Sequence, residues 1–525
     1  MSALPPPPRV GPEIAELRRD LLAADYCVDA VAERVGPAAQ QALAREEAVP
    51  ALRLLGRDTD RLAVLVRLLV LGDGVPRAAV DAALPSLGTR GLVSLGLAGA
   101  AGAGPDDEVL ACVDVEPQAV ADDEGEGAWW VVSDHGELAL RGELLPVDHV
   151  LGVGTASMTL IEAVLPPAKD DVVADVGCGS GIQALHLSRF TDRLAATDAS
   201  ARAAAFARVT FALNEVDAQV HVGDLLAPFG RQRLDRIVSN LPFVITPRSS
   251  GVPEYTYRDA GAVGDGISAR MVREAPARLA DGGIAQFLAN WEVPAGAPWD
   301  ERIRGWVEAA AADADATGDV VDVWVVQREL ADPALYAEAW ISDGVRPERD
   351  TAAQWYRAWL DDFAARGVES VGFGIVTMRR RPAAHAPLRR YDDRPEPLPA
   401  ALRDGLAAGL AGHDALGSLS ALADEAALLG ARLAVSDGVV ERREHAPGSA
   451  DPRSVHLVDT RRFGRMIRAS VALGGVVGAC DGDLSLAAIT SAVADLLGEG
   501  EGEIRAQVLP SLRKMIAEGM LVVRG

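Results

Sequence analysis

Lysine is nearly missing: in 525 residues it occurs only at 169 and 514, and arginine carries almost all the positive charge. With abundant alanine, this reads as the codon bias of a GC-rich genome and points to no function. Cysteine is equally sparse, at 27, 112, 178 and 480, and never as CxxC. That excludes a disulfide framework and implies a reduced, cytoplasmic setting. The eight histidines include no pair at i, i+4, so no metal site is expected. No run of about 18 uncharged apolar residues occurs, so no membrane span is expected either. The start, Met1-Ser2-Ala3-Leu4 followed by Pro5 to Pro8, lacks the charged and apolar regions of a secretory leader. Positive charge as a whole is short, with 51 Lys and Arg against 76 Asp and Glu, a net −25. Phosphate neutralisation by a basic surface supplies most non-specific nucleic-acid affinity, so this balance argues against such a partner. A local basic patch would be the exception.

What remains is ordinary for a globular chain, 49% hydrophobic and 24% charged, and long enough for roughly three domains of about 150 residues. Residues 1–100 show helical apolar spacing, and "GVPRAAVDAALPSLGTRGLVSL" (74–95) resembles the helix-turn-helix part of a winged helix. The Gly/Ala-rich stretch 96–107 is read as a boundary, and 101–148 as a small connector with two strand-like runs split by the acidic loop 121–127. From 149 to 381 strands alternate with helices, which predicts an α/β doubly wound parallel sheet with a helical insertion at 331–368. The Arg/Pro-rich segment 382–399 reads as a linker, and 400–525 as a C-terminal, mainly helical domain for which a second winged helix is expected. The apolar terminal domains also offer surfaces on which two copies can pair.

In "VVADVGCGSGIQALHL" (172–187) a buried strand runs through Asp175 into a turn with Gly177, Cys178, Gly179 and Gly181. A dinucleotide loop would read GxGxxG and hold pyrophosphate. A carboxylate just ahead of the loop repels pyrophosphate and suits a ligand bearing an ammonium group. Two later strands also end in carboxylates, at Asp198 in "LAATDAS" and Asp224 in "VHVGDLL". Taken singly, each aspartate is equally a helix N-cap or turn residue. Cys178 is read as a packing residue, since no base lies nearby to activate it.

In this order the residues resemble class I S-adenosylmethionine-dependent methyltransferases, over the middle 230 or so positions. The resemblance implies a Rossmann-like seven-stranded sheet and S-adenosylmethionine as cofactor. It places Asp175, Gly177, Cys178, Gly179 and Gly181 on the methionine half, Asp198 on the ribose hydroxyls, and Asp224 and Leu225 beside the adenine. Thr155 and Ser157, in the segment 148–165 ahead of the first strand, would help cover the cofactor, one of them being equally a helix N-cap. At the end of the fourth strand the N-methyltransferase branch carries an Asn/Asp-Pro-Pro-aromatic motif. Here Asn240, Leu241, Pro242 and Phe243 match it except at Leu241. The Asn240 carbonyl and a backbone carbonyl can accept the two N–H bonds of a planar nitrogen, with Phe243 as a flat surface for stacking. Asn240 would also touch the cofactor. The following stretch 254–288 is similar to release-factor glutamine and guanine-N2 RNA methyltransferases, and brings Tyr255, Tyr257 and Asp259 toward the substrate.

These residues point to an enzyme methylating an amide, guanidinium or amine of a protein or small molecule, guanidino or amino-acid-like compounds included. An RNA or DNA base methyltransferase is the alternative, with the winged helices as its grip and the net charge against it. A non-catalytic cofactor-binding scaffold is a third reading, opposed by the intact motif.

Overall fold

The computed structural model describes residues 4–56, 58–122, 124–136, 139, 145–248, 251–259, 261–316, 318–343, 347–382, 386–397, 402–420 and 425–524. They form two compact units. One comprises Met1–Ile161, Pro166–Ala383 and Arg389–Pro395; the other comprises Glu162–Leu165, Ala384–Leu388 and Glu396–Gly525.

The first unit opens with helices Ile14–Ala23, Val28–Leu43, Val49–Leu55 and Arg61–Leu69. Next come β1 (Val75–Pro76), helices Arg77–Ala83 and Gly88–Leu95, β2 (Ala98–Ala100) and β3 (Glu108–Ala111). β3 lies antiparallel between β1 and β2. This helix–strand–helix–helix–strand–strand order is the connectivity of a winged helix. Because β3 joins from beyond residue 100, the glycine-rich stretch 96–107 is mostly the turn inside this module rather than its boundary. Asp107 closes that turn by accepting the Gly104 N–H at 2.6 Å. β4 (Asp114–Asp122) and β5 (Gly125–Ser133) then pair as a hairpin. The expected acidic loop 121–127 is mostly strand: the register holds to Asp122 opposite Gly125. Arg189 takes the Asp122 carboxylate at 2.7 Å.

The large sheet has eight strands where seven are expected. They are β6 (Val173–Val176), β7 (Leu194–Asp198), β8 (Ala218–Val222), β9 (Leu234–Asn240), β10 (Leu279–Pro294), β11 (Asp319–Ala331), β12 (Val368–Pro382) and β13 (Arg389–Asp393), in the spatial order 13-11-12-10-9-6-7-8. The run from β8 to β10 is parallel, and β12 runs antiparallel between β10 and β11. From β6 the chain winds one way through β7 and β8 and the other way through β9 and β10. A crevice therefore opens at the carboxyl ends of β6 and β9, where ligands bind in such sheets. β6 is buried throughout, as a strand covered on both faces must be.

The eighth strand, β13, lies in the segment expected as a linker and pairs parallel with β11. Three arginines in and just ahead of this segment are ion-paired in place. Arg379 holds Asp322 at 2.8 Å, Arg380 holds Asp319 at 2.7 Å, and Arg390 holds Asp392 at 2.8 Å. Between β11 and β12 stand helices Pro333–Ile341 and Arg349–Arg366. They bury Tyr336, Trp359 and Phe363 against one another.

The second unit carries more strand than the single closing one expected. Helices Leu402–Ser420 and Glu425–Gly430 lead into β14 (Arg432–Val435), β15 (Val439–His445), β16 (Pro452–Asp459) and β17 (Met466–Arg468). Helix Val471–Gly478, β18 (Asp481–Ser485), helices Leu486–Leu497 and Glu501–Ala517, and β19 (Leu521–Arg524) follow. β14 lies between β18 and β19, while β15, β16 and β17 form a separate sheet. The winged-helix order recurs here, with the middle strand supplied from ahead of the first helix. Among the described residues no helix is long and apolar enough to cross a membrane, and none form a metal-binding cluster.

Candidate active site

The crevice at the carboxyl ends of β6, β7 and β9 is a cavity of about 430 Å³, within the range of small-ligand sites. One wall is the glycine loop between β6 and helix Ile182–Leu187. Gly177 and Cys178 donate their N–H groups to the Thr197 carbonyl at 2.8 and 3.0 Å, which ties the loop to β7. Gly181 has φ +94°, and a Cβ there would lie 2.6 Å from the Phe211 ring. Gly177 has φ +71°, and its added Cβ would stand 3.8 Å from the Asn240 carbonyl and 3.9 Å from Pro242. The loop thus faces the motif across a gap that a side chain would narrow.

Asp198, at the end of β7, turns its carboxylate onto this wall. It accepts the Gly179 N–H at 3.0 Å and the Ser200 N–H at 2.8 Å, and burial raises its pKa. Asp224 also lines the cavity, where its exposed carboxylate pairs with Arg270 at 2.9 Å. Leu225 is a non-glycine residue at φ +44°. Its carbonyl accepts the Thr197 hydroxyl at 3.0 Å, and the residue lines the same cavity.

Asn240 ends β9 on the cavity wall. Its Nδ2 donates to Ser157 Oγ at 3.2 Å, and the Ser157 carbonyl is in turn held by Gln183 Nε2 at 2.9 Å. That anchoring leaves the Asn240 Oδ1 as an acceptor. Pro242 follows on the same wall, with Tyr255 and Tyr257 opposite. The two tyrosine rings stack with centroids 5.7 Å apart and planes 28° from parallel. Asp259 also reaches the cavity, but its oxygens are taken by Thr246 Oγ1 and the Tyr255 N–H. It orders the tyrosine loop.

Four expected site residues are not on the wall. Asp175 lies behind the loop, 1% exposed, accepting the Ala184 N–H at 3.0 Å. It braces the helix start instead of meeting a ligand ammonium. Leu241 and Phe243 point into the core. Phe243 packs against Phe373 at 5.4 Å and Trp340 at 6.3 Å, so it offers no stacking face to a substrate. Thr155 is exposed at a helix start outside the cavity, and Ser157 takes the place expected of it. Cys178 is on the wall, with burial pushing its thiol pKa far up. That agrees with a packing role.

Sequence reasoning missed His149, Gln183 and Arg270. His149 is buried on the wall, edge-on to Tyr257 at 6.0 Å. Burial lowers its pKa, which favours the neutral ring. A lone histidine with no partner at ligand spacing carries no sequence signal.

Residues 151–311 match the family described as the methyltransferase small domain. With the loop, the strand-end carboxylates and the motif in one cavity, the middle of this chain has the fold and cofactor cleft of a class I S-adenosylmethionine-dependent methyltransferase domain. Residues 23–111 match a domain of unknown function, DUF7059. The particular likeness is to ribosomal RNA small subunit methyltransferase C. The Alcanivorax borkumensis protein of that name is 30% identical over 126 residues, 24% of this chain and 34% of that protein. The Chromohalobacter salexigens protein is 36% identical over 135 residues, 25% of this chain and 36% of that one. The chain thus spans little more than a third of these relatives' length. Among solved structures, the T. thermophilus 16S rRNA N2 methyltransferase in complex with AdoMet and guanosine is 15% identical. It has a TM-score of 0.26 over 53% of this chain and 67% of that one.

The residues present fit the cofactor. Gly179 leaves open space where a side chain would stand, and Asp198 presents a carboxylate already fixed by two backbone donors. Bound there, S-adenosylmethionine supplies an electrophilic methyl group on sulfur.

Proposed function

We propose that this chain methylates an exocyclic amino nitrogen of a nucleobase in ribosomal RNA, the guanine N2 group being the specific candidate. The observation that carries the reading is Asn240, clamped through Nδ2 by Ser157, with Oδ1 left as an acceptor on the cavity wall. A conjugated amino nitrogen has a delocalised lone pair and attacks poorly. Asn240 Oδ1 and the neighbouring backbone carbonyl accept its two N–H bonds, orient it, and stabilise the positive charge that develops. The Tyr255–Tyr257 pair supplies the flat surface assigned in the sequence to Phe243. Neutral His149 adds an aromatic edge beside them. No general base is needed, because the proton leaves after methyl transfer.

The ribosomal substrate is favoured by the relatives' name over the protein amide or small-molecule acceptor expected from the acidity. The test offers labelled S-adenosylmethionine to cell RNA, intact ribosomal subunits, protein and small-molecule fractions, followed by nucleoside mass spectrometry. Label is expected in an N-methylated purine nucleoside. Asn240→Ala should lower turnover by about 100-fold or more while cofactor binding persists. Label in protein or small molecules alone would refute the RNA reading.

A further inference from the structure

The sheet of β15, β16 and β17 places three nitrogenous side chains in one row. Arg442 stands opposite His456, and His456 opposite Arg468. Directly opposed residues share a face with side chains about 5 Å apart. The neighbouring row on that face is Val440, Val458 and Met466, of which Val440 and Met466 are 42% and 57% exposed. Beyond the cationic row, Ser454 donates to one oxygen of Glu444 at 3.0 Å, and that carboxylate marks the acidic end of the face. The opposite face carries Leu457 and Ile467, both packed into the core of the second unit. One face is therefore anchored, and the other presents an apolar row beside a cationic row.

Among the described residues no carboxylate pairs with Arg442 or Arg468, both exposed, whereas His456 between them is half-buried with its Nδ1 out of reach of solvent. Residues 439–468 hold seven arginines against four carboxylates, the reverse of the whole chain. A polyanion repelled elsewhere meets local attraction here. The adjoining Val440 and Met466 suit the bases and riboses of a strand whose phosphates meet Arg442 and Arg468.

We infer that this face of β15, β16 and β17 binds the backbone of the RNA substrate through the exposed Arg442 and Arg468, which flank His456. The inference rests on the RNA reading of the active site, and it adds a second contact region within the C-terminal unit. It gives that unit a role in gripping RNA through a sheet rather than through a recognition helix.

The test is fluorescence anisotropy of the full chain with a labelled mixed-sequence RNA oligonucleotide across a salt series. Each phosphate contact on a single strand contributes about 0.7 to the slope of log affinity against log salt. The Arg442→Ala/Arg468→Ala double variant should lower that slope by about 1.4 while S-adenosylmethionine affinity holds. Arg442→Lys/Arg468→Lys keeps both charges and should keep the slope, and circular dichroism confirms that both variants fold. An unchanged slope in the alanine variant overturns the inference, as does wild-type protein that fails to bind RNA at low salt. Displacement of the RNA by polyglutamate at equal charge would assign the face to an acidic protein and overturn it as well. Methyl transfer to RNA is measured alongside. Its presence with an unchanged slope sinks only the sheet assignment, whereas its absence in the wild type sinks the proposed function.

Discussion

Replacing Asp175 with asparagine should stabilise the protein, by an amount that grows with pH. The Asp175 carboxyl is buried behind the glycine loop. One oxygen takes the Ala184 N–H, and the other has no partner among the described residues. Burial pushes its pKa up to about 7 from an ordinary 3.8; the Ala184 bond opposes this and the charge of Asp198 adds to it. In the unfolded chain the group ionises from about pH 4 upward, but in the folded protein it stays protonated until about 7. Its contribution to stability is therefore most favourable below the unfolded value. That contribution is lost as pH rises toward the folded value, and the loss then levels off. At 1.36 kcal/mol per pH unit, the penalty deepens by about 2 kcal/mol between roughly pH 5.5 and 8. Asparagine cannot ionise, and its carbonyl can keep the Ala184 bond. The gap between variant and wild type should widen by that same amount, while pH-independent packing differences cancel.

The assay is supplied by the sequence. All nine tryptophans lie between residues 129 and 359, within the first unit, so urea unfolding followed by their fluorescence reports on the unit that holds Asp175. A gap that stays constant with pH, or narrows as pH rises, would refute the reasoning. It would mean that Asp175 is ionised in the folded state and satisfied by a partner.

Asp198→Ala removes the acceptor for the Gly179 and Ser200 N–H groups and the carboxylate assigned to the ribose. Titration calorimetry should show cofactor affinity lower by about 10- to 100-fold, the worth of one or two hydrogen bonds to a charged group; undiminished affinity would remove Asp198 from the site. Gly181→Ala puts a side chain at φ +94° and 2.6 Å from the Phe211 ring, so the tryptophan transition should lose about 1–3 kcal/mol. An unshifted midpoint would contradict that packing. Phe243→Leu gives up the ring contacts with Phe373 and Trp340 and should lower stability by about 1 kcal/mol. Turnover per folded molecule should barely change, and a collapse in turnover would restore Phe243 to the substrate site.

What was legible in the sequence follows from burial. Parallel strands covered on both faces write continuous apolar runs, as in Val173–Val176, and their ends fall at the crevice, so the places of Asp198, Asp224 and Asn240 on the cavity wall follow from position. Which way a junction residue faces was not legible. Phe243 turns inward because Trp340 and Phe373, about a hundred residues or more away, build a slot for it. Asp175 turns behind the loop because the Ala184 N–H at the helix start needs an acceptor there. β13 is charged at four of its five positions, "RRYDD", and has no apolar alternation to announce a strand. It is a strand only because β11 offers it an edge.

If the proposed RNA substrate is right, net charge is a poor guide for a related physical reason. A total of −25 is a sum over the chain, whereas a bound strand responds to charges within a Debye length, about 8–10 Å in ordinary salt. Within that radius an ion pair is nearly silent, and in the basic segment 379–390 three arginines already hold Asp322, Asp319 and Asp392. Arg442 and Arg468 are fewer, but among the described residues they stand without carboxylate partners beside His456. For phosphate recognition, pairing state outweighs count. An acidic chain can grip RNA at one unpaired basic face, and its remaining negative charge then confines the strand to that face.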